Sequence, residues 1–196
     1  RIIPLKPDAI RLPKTSSKDD IMKYENIISK IEKQNGLEVG STKIVPMLET
    51  AVAIENAYEI AASSARIIAI TIGGEDLTAD MKVKRTKEGK ELYWARAKVA
   101  LAASAAKVAS LDTVFSDVND DEGLRSDTMT IKELGFDGKA CINPRQIQIV
   151  HEVYTPSENE ISAAKEIILD KRKNEGGVVS LNGKMIDYPV VKRAET

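Results

Sequence analysis

One cysteine, one histidine and one tryptophan stand in a chain of 196 residues, and aromatic residues make up only 4% of it. A lone Cys141 forms no internal disulfide, and a lone His151 without a cysteine partner offers no zinc-type ligand spacing. No apolar run approaches the roughly 20 residues that span a bilayer, and no secretory hydrophobic segment is present. Charge of either sign in excess is also missing. The 29 basic and 30 acidic residues nearly cancel, so there is no electrostatic footprint for nucleic acid or an anionic membrane. The expectation is a soluble, cytoplasmic protein with neither nucleic acid nor membrane as its partner. With 42% hydrophobic residues the chain can bury a core of its own.

What is present is an alternation of short β-rich runs with amphipathic helices. "AIRLP" (9–13) precedes a helix from about Lys18 to Asn35, with Ile21, Tyr24, Ile27, Ile28 and Ile31 on one face and Gly36 closing it. "KIVPML" (43–48) leads to the helical "ETAVAIENAYEIAASSA", and "RIIAITI" (66–72) to a polar loop over 77–90 and a helix over 91–109. "DTVFSD" (112–117) precedes a helix through Leu134, and "GKACIN" (138–143) a helix opened by Pro144. Repeated βα units with near-continuous apolar strands imply an α/β fold with parallel strands.

Two architectures fit such units. A doubly wound sheet calls for a glycine fingerprint or a phosphate loop, and neither is present. A (β/α)₈ TIM barrel gathers polar residues at the carboxyl ends of its strands, and the barrel is favoured. Five βα units are legible where a barrel has eight. The chain is therefore expected to be N-terminally incomplete, a partial barrel over residues 1–155 whose open edges favour association. Residues 156–196 are expected to form a C-terminal arm, in which a helix capped by Ser157 stops at Gly176–Gly177 and an Asn-Gly turn joins a hairpin.

Polar residues gather at the predicted strand tips. Glu49 ends "IVPMLE", Glu75 and Asp76 end "ITIGGED", Asp117 ends "VFSD", and Asn143 and Arg145 follow "GKACI". Glu49 and Asp76 fall on adjacent tips, where two carboxylates completed by water or substrate oxygens suit Mg²⁺. By pattern alone, helix capping accounts for either acid equally well. Gly73 and Gly74 suit a tight strand-to-loop turn that would also bring backbone N–H groups to an anion. His151 is expected to be an exposed helical residue, Cys141 a small buried hydrophobe on a strand, and Tyr93 and Trp94 packing residues. The acids of "DVNDDEGLRSD" are expected to lie in a solvated loop and a helix cap.

Specific blocks go further. "PMLETAVAIENAYEIA", "IGGEDLTADM", "RTKEGKELYWARA", "VFSDVNDDEG", "IKELGFDGKACINPRQIQIVHEVYTPS" and "GVVSLNGKMIDYPVVKRA" resemble successive blocks of the citrate lyase β-subunit family. That family belongs to the citramalyl-CoA/malyl-CoA lyase and pyruvate-aldolase superfamily.

The resemblance implies a TIM-barrel carbon-carbon lyase with "AIRLPK" as its fourth strand. It implies Mg²⁺ held by Glu49 and Asp76, and a citryl thioester on an acyl carrier (γ) subunit cleaved to an acetyl thioester and oxaloacetate. Glu49, Gly73, Gly74 and Glu75 would lie against substrate, the glycines and Glu75 through backbone N–H groups. Asp187 in "GKMID" would carry a proton from a neighbouring subunit, unless it serves as a turn or cap. Lys139, Asn143 and Arg145 either meet the carrier or brace the eighth strand. The α subunit and further copies of the chain are the implied partners, in citrate fermentation. The family's substrate-binding arginine sits on the third strand, outside this sequence, so the chain alone is expected to be inactive. A free-standing malyl-CoA or citramalyl-CoA lyase and a non-catalytic scaffold are the alternatives.

Overall fold

A computed structural model describes residues 2–173, 179–181 and 184–195. The chain divides into two compact units, Arg1–Tyr154 and Thr155–Thr196. In the first, five parallel strands run in sequence order: β1 (Ala9–Leu12), β2 (Lys43–Leu48), β3 (Ala69–Ile72), β4 (Ala109–Asp112) and β5 (Gly138–Lys139). Helices lie between them. They are α1 (Lys18–Gln34), α2 (Ala51–Glu55), α3 (Ala57–Ala61), α4 (Gly74–Asp80), α5 (Tyr93–Ala106) and α6 (Asp121–Glu133), with α7 (Arg145–Tyr154) after β5. An unbroken strand order has no reversal point, which sets this mixed α/β sheet apart from the doubly wound alternative.

The period-2 alternation of the strands sorts their residues between two faces. Leu12, Ile44, Leu48, Ile70 and Ile72 face the helices and join Ile21, Ile28, Ile60, Val99 and Ala103 in the main core. Arg11, Val45, Met47 and Thr71 belong to the other face, where the Arg11 guanidinium donates to Thr71 Oγ1 at 3.4 Å. Helix α1 begins as its sequence dictates. Ser17 accepts from the Asp20 amide and the Asp20 carboxylate accepts from the Ser17 amide, a reciprocal capping box. Gly36 follows the helix in the left-handed region, φ 66°, a conformation that costs a residue with a Cβ.

Several element boundaries depart from the sequence expectation. The helix predicted after Glu49 is two short ones, because Asn56 leaves helical geometry and its amide side chain donates to the Ser16 carbonyl at 3.0 Å. Residues 74–80, expected mostly as loop, form α4. Strand β4 lies three residues before the predicted 112–117. The apolar pair that mimicked a strand there has another destination, since Phe115 is buried with Leu124, Ile149 and Val150. On α1 only Ile21 and Ile28 of the predicted stripe are fully buried, while Tyr24 and Ile27 are exposed.

In the second unit Ser157 caps α8 (Glu158–Lys173) with a second capping box through Glu160. Strands β6 (Val179–Leu181) and β7 (Lys184–Ile186) pair antiparallel, with Leu181 opposite Lys184. Asn182–Gly183 and Gly176–Gly177 lie outside the described residues. Helix α9 (Tyr188–Ala194) closes the unit.

Candidate active site

Strand register brings the first two candidates together. Leu48 pairs with Ile72, so the next residues along each strand, Glu49 and Gly73, are neighbours. The Gly73 amide donates to the Leu48 carbonyl at 2.9 Å. Glu49 continues the row of Val45 and Met47, and its side chain crosses Gly73. A Cβ on Gly73 would lie 2.4 Å from Glu49 Cγ and 2.8 Å from Oε1. The glycine is thus needed for space, and its φ of −99° asks for no special residue.

The other carboxylate oxygen is held from the β1 side. Lys14 turns into the left-handed region, φ 52°, and its backbone N–H donates to Glu49 Oε2 at 2.8 Å. Glu49 is 6% exposed and has no ion-pair partner among the described residues. Helix capping does not explain it, because Thr50 is the residue whose side chain accepts from the Ala53 amide. A nearly buried carboxylate held by one amide and no cation leaves a negative charge that a bound cation would balance.

Asp76 stands in the first turn of α4, exposed, with no hydrogen bond or ion pair among the described residues. It caps nothing. Its neighbour Glu75 is paired with Arg85, which reaches Glu75 Oε1 and Glu91 Oε1 at 3.3 Å and the Val114 carbonyl at 3.2 Å. The two adjacent acids therefore differ in what they leave open. The glycine amides differ from the expectation as well. Gly73 N–H is spent on the sheet and Gly74 N–H donates to Thr113 Oγ1 at 3.0 Å, so the unengaged amides of this turn are those of Glu75 and Asp76.

Among the described residues no group of three or more His, Cys, Asp or Glu converges as a ready-made metal cage. A site built on Glu49 and Asp76 thus has two protein carboxylates, with its other positions left to water and substrate oxygens. Such a donor set fits Mg²⁺, which keeps part of its hydration shell, and does not fit zinc.

The remaining candidates are engaged in contacts of their own. Asp187 is the N-cap of α9, its Oδ1 accepting from the Val190 amide at 3.2 Å. Asp117 accepts from the Asn119 amide, and Asn143 from the Arg145 amide. Arg145 is exposed and donates to the Val118 carbonyl. His151 lies exposed on α7. Cys141 lies beyond β5 and is half-buried, and that burial pushes its thiol up. Trp94 and Tyr93 do not pack on the sheet. They are 81% and 47% exposed and meet edge to face.

Lys139 braces. Fully buried, its ammonium donates to Asp112 and Asp127 at 2.6 Å each and to the Thr113 carbonyl at 2.9 Å. Arg96 from α5 forks onto the same two aspartates, between 2.8 and 3.2 Å. Burial pushes the Asp127 carboxyl up, but Lys139 and Arg96 outweigh it and hold the group below its usual range. Asp127 is therefore not a solvated loop acid. It lies one to four residues from Leu124, Thr128 and Ile131 on the buried face of α6, a helical spacing legible in the sequence.

Residues 1–144 match the family described as HpcH/HpaI aldolase/citrate lyase. The chain belongs to that family. The expected resemblance to citrate lyase β subunits holds. The chain is similar to the citrate lyase subunit beta of Leuconostoc mesenteroides subsp. cremoris, 46% identical over 96% of this chain and 63% of the relative. It is also similar to the L-malyl-CoA/beta-methylmalyl-CoA lyase of Cereibacter sphaeroides, 31% identical over 96% of this chain and 65% of that one. Among solved structures, protein CitE from Mycobacterium tuberculosis in complex with magnesium, acetoacetate and coenzyme A is 29% identical. The TM-score is 0.78, covering 96% of this chain and 66% of that one. The chain thus spans slightly less than two thirds of the length of each relative.

Proposed function

We propose that this chain carries the Mg²⁺ site of a carbon-carbon lyase that cleaves a citryl thioester, presented on an acyl carrier protein, into an acetyl thioester and oxaloacetate. Its five strands are read as strands four to eight of a (β/α)₈ barrel, with the strand tips forming the active rim. The observation that carries the reading is Glu49, a nearly buried carboxylate without a cation partner among the described residues, directly after β2, whose neighbour β3 runs into the turn that carries unpaired Asp76.

Glu49 and Asp76 would hold the ion. Mg²⁺ when bound supplies Lewis-acid stabilisation of the negative charge that develops as the citryl hydroxyl becomes a ketone. Lys14 keeps Glu49 aimed through its backbone N–H, and Gly73 and Gly74 supply room rather than donors. The Glu75 and Asp76 amides are the ones left for a substrate carboxylate. Asp187, from a neighbouring subunit, carries the proton between the hydroxyl and the departing thioester enolate; its capping bond on α9 is the competing role. The partners of this reading are the acyl carrier (γ) and α subunits, further copies of the chain and a cytoplasmic setting.

In the intact protein, Asp76→Ala is expected to abolish Mg²⁺-dependent cleavage of the citryl thioester, measured as oxaloacetate release. Unchanged turnover would sink the metal assignment. A free-standing malyl-CoA-type lyase is the second reading, favoured by the 31% identity to that enzyme. Turnover of carrier-linked against CoA-linked substrate separates the two.

A further inference from the structure

Thr113 is the first residue beyond β4 and is 4% exposed. Its hydroxyl oxygen accepts the Gly74 amide at 3.0 Å, and its carbonyl accepts from the buried Lys139 ammonium at 2.9 Å. A Cβ on Gly74 would lie 2.9 Å from both Cγ2 and Oγ1 of Thr113, so the two residues are in close steric contact as well as bonded. The tip of β3 is thereby gripped from both sides. Gly73 is bonded to β2 and covered by Glu49, while Gly74 is bonded to Thr113.

Asp76 rides on the same turn and has no partner of its own among the described residues, so its direction is set by where the turn sits. The four charges of Arg96, Asp112, Asp127 and Lys139 balance, and this buried quartet is what anchors the Thr113 backbone.

We propose that Thr113, anchored by Lys139, is a positioning residue for the metal site, holding the Gly73–Asp76 turn so that Asp76 and Glu49 can bind one divalent ion. The inference rests on the metal reading given above. Thr113 touches neither ion nor substrate. Its effect travels through one hydrogen bond to the backbone that carries a ligand, as outer partners of metal sites do.

The test is calorimetric titration of Mn²⁺ into the intact protein and its variants, with thermal unfolding measured in parallel. Thr113→Val keeps the volume and removes the hydroxyl, and is expected to weaken Mn²⁺ binding about 10–100-fold, the loss typical for an outer partner of a metal ligand. Thr113→Ser restores the hydroxyl and is expected to bind as the unaltered protein does. If the valine variant does not fold, Thr113→Ala takes its place. Unchanged affinity without the hydroxyl would overturn the inference, as would an equal loss in the serine variant, which would point to packing. Failure of the unaltered protein to bind Mn²⁺ would overturn the metal reading and this inference with it.

Discussion

At the scale of single residues, the sequence marks candidates by a polar residue that ends an apolar run, a signal that Asp117, Asn143 and Arg145 carry as well although each is spent on a local contact. Glu49 and Asp76 announce themselves in that way. The devices that aim them do not, because a backbone amide presented by Lys14 at φ 52° and a hydroxyl supplied to Gly74 by Thr113, 39 residues further on, follow from tertiary register. The Gly73 requirement yields a direct prediction. Gly73→Ala places a methyl 2.4 Å from Glu49 Cγ and displaces that nearly buried side chain, so Mg²⁺ affinity is expected to fall at least about 10-fold and the melting temperature to fall with it; titration calorimetry reads the first and thermal unfolding the second. Asp127 behaves differently. Asp127→Ala strips Lys139 and Arg96 of a shared counter-charge in a buried setting, a loss of about 3–5 kcal/mol, visible in urea unfolding.

Elements were read well where local chemistry decides them and less well where packing does. Helix α1 and strand β2 fall within a residue of expectation, since a capping box, a glycine stop and an apolar run are local signals. Strand β4 was misplaced because Phe115 belongs to a second apolar cluster beneath α6 and α7, which no period in the sequence reveals. The tie between α1 and the segment just before β3 was missed for the same reason. Glu32, fully buried, accepts from the Arg66 guanidinium at 2.6 and 2.9 Å and from the Gly40 and Thr42 amides. The Arg66 hydrogen bonds, aided by those amides, outweigh burial and bring the Glu32 carboxyl down to about 2. A carboxyl whose folded value is depressed stabilises fully above its unfolded value of 4.5, and that stability fades as pH falls from there towards 2. Urea midpoints measured across that window are expected to decline for the unaltered protein, and the decline is expected to be shallower for Glu32→Gln.

For the whole molecule, repeated βα units gave the parallel sheet, and the lack of a glycine fingerprint argued against a doubly wound order; the strand sequence β1 to β5 agrees. Five neighbouring parallel strands put every C-terminal tip on one edge, which is why residues as far apart in sequence as Lys14, Glu49, Gly74 and Thr113 meet. The claim on which the functional account stands is that this edge holds one divalent ion between Glu49 and Asp76. Titration of Mg²⁺ in the presence of oxaloacetate into the intact protein, its Glu49→Gln variant and its Asp76→Asn variant tests it most directly. The account predicts one site per chain that is lost in both variants while their unfolding midpoints stay close to that of the unaltered protein. Binding of equal strength in all three would contradict it.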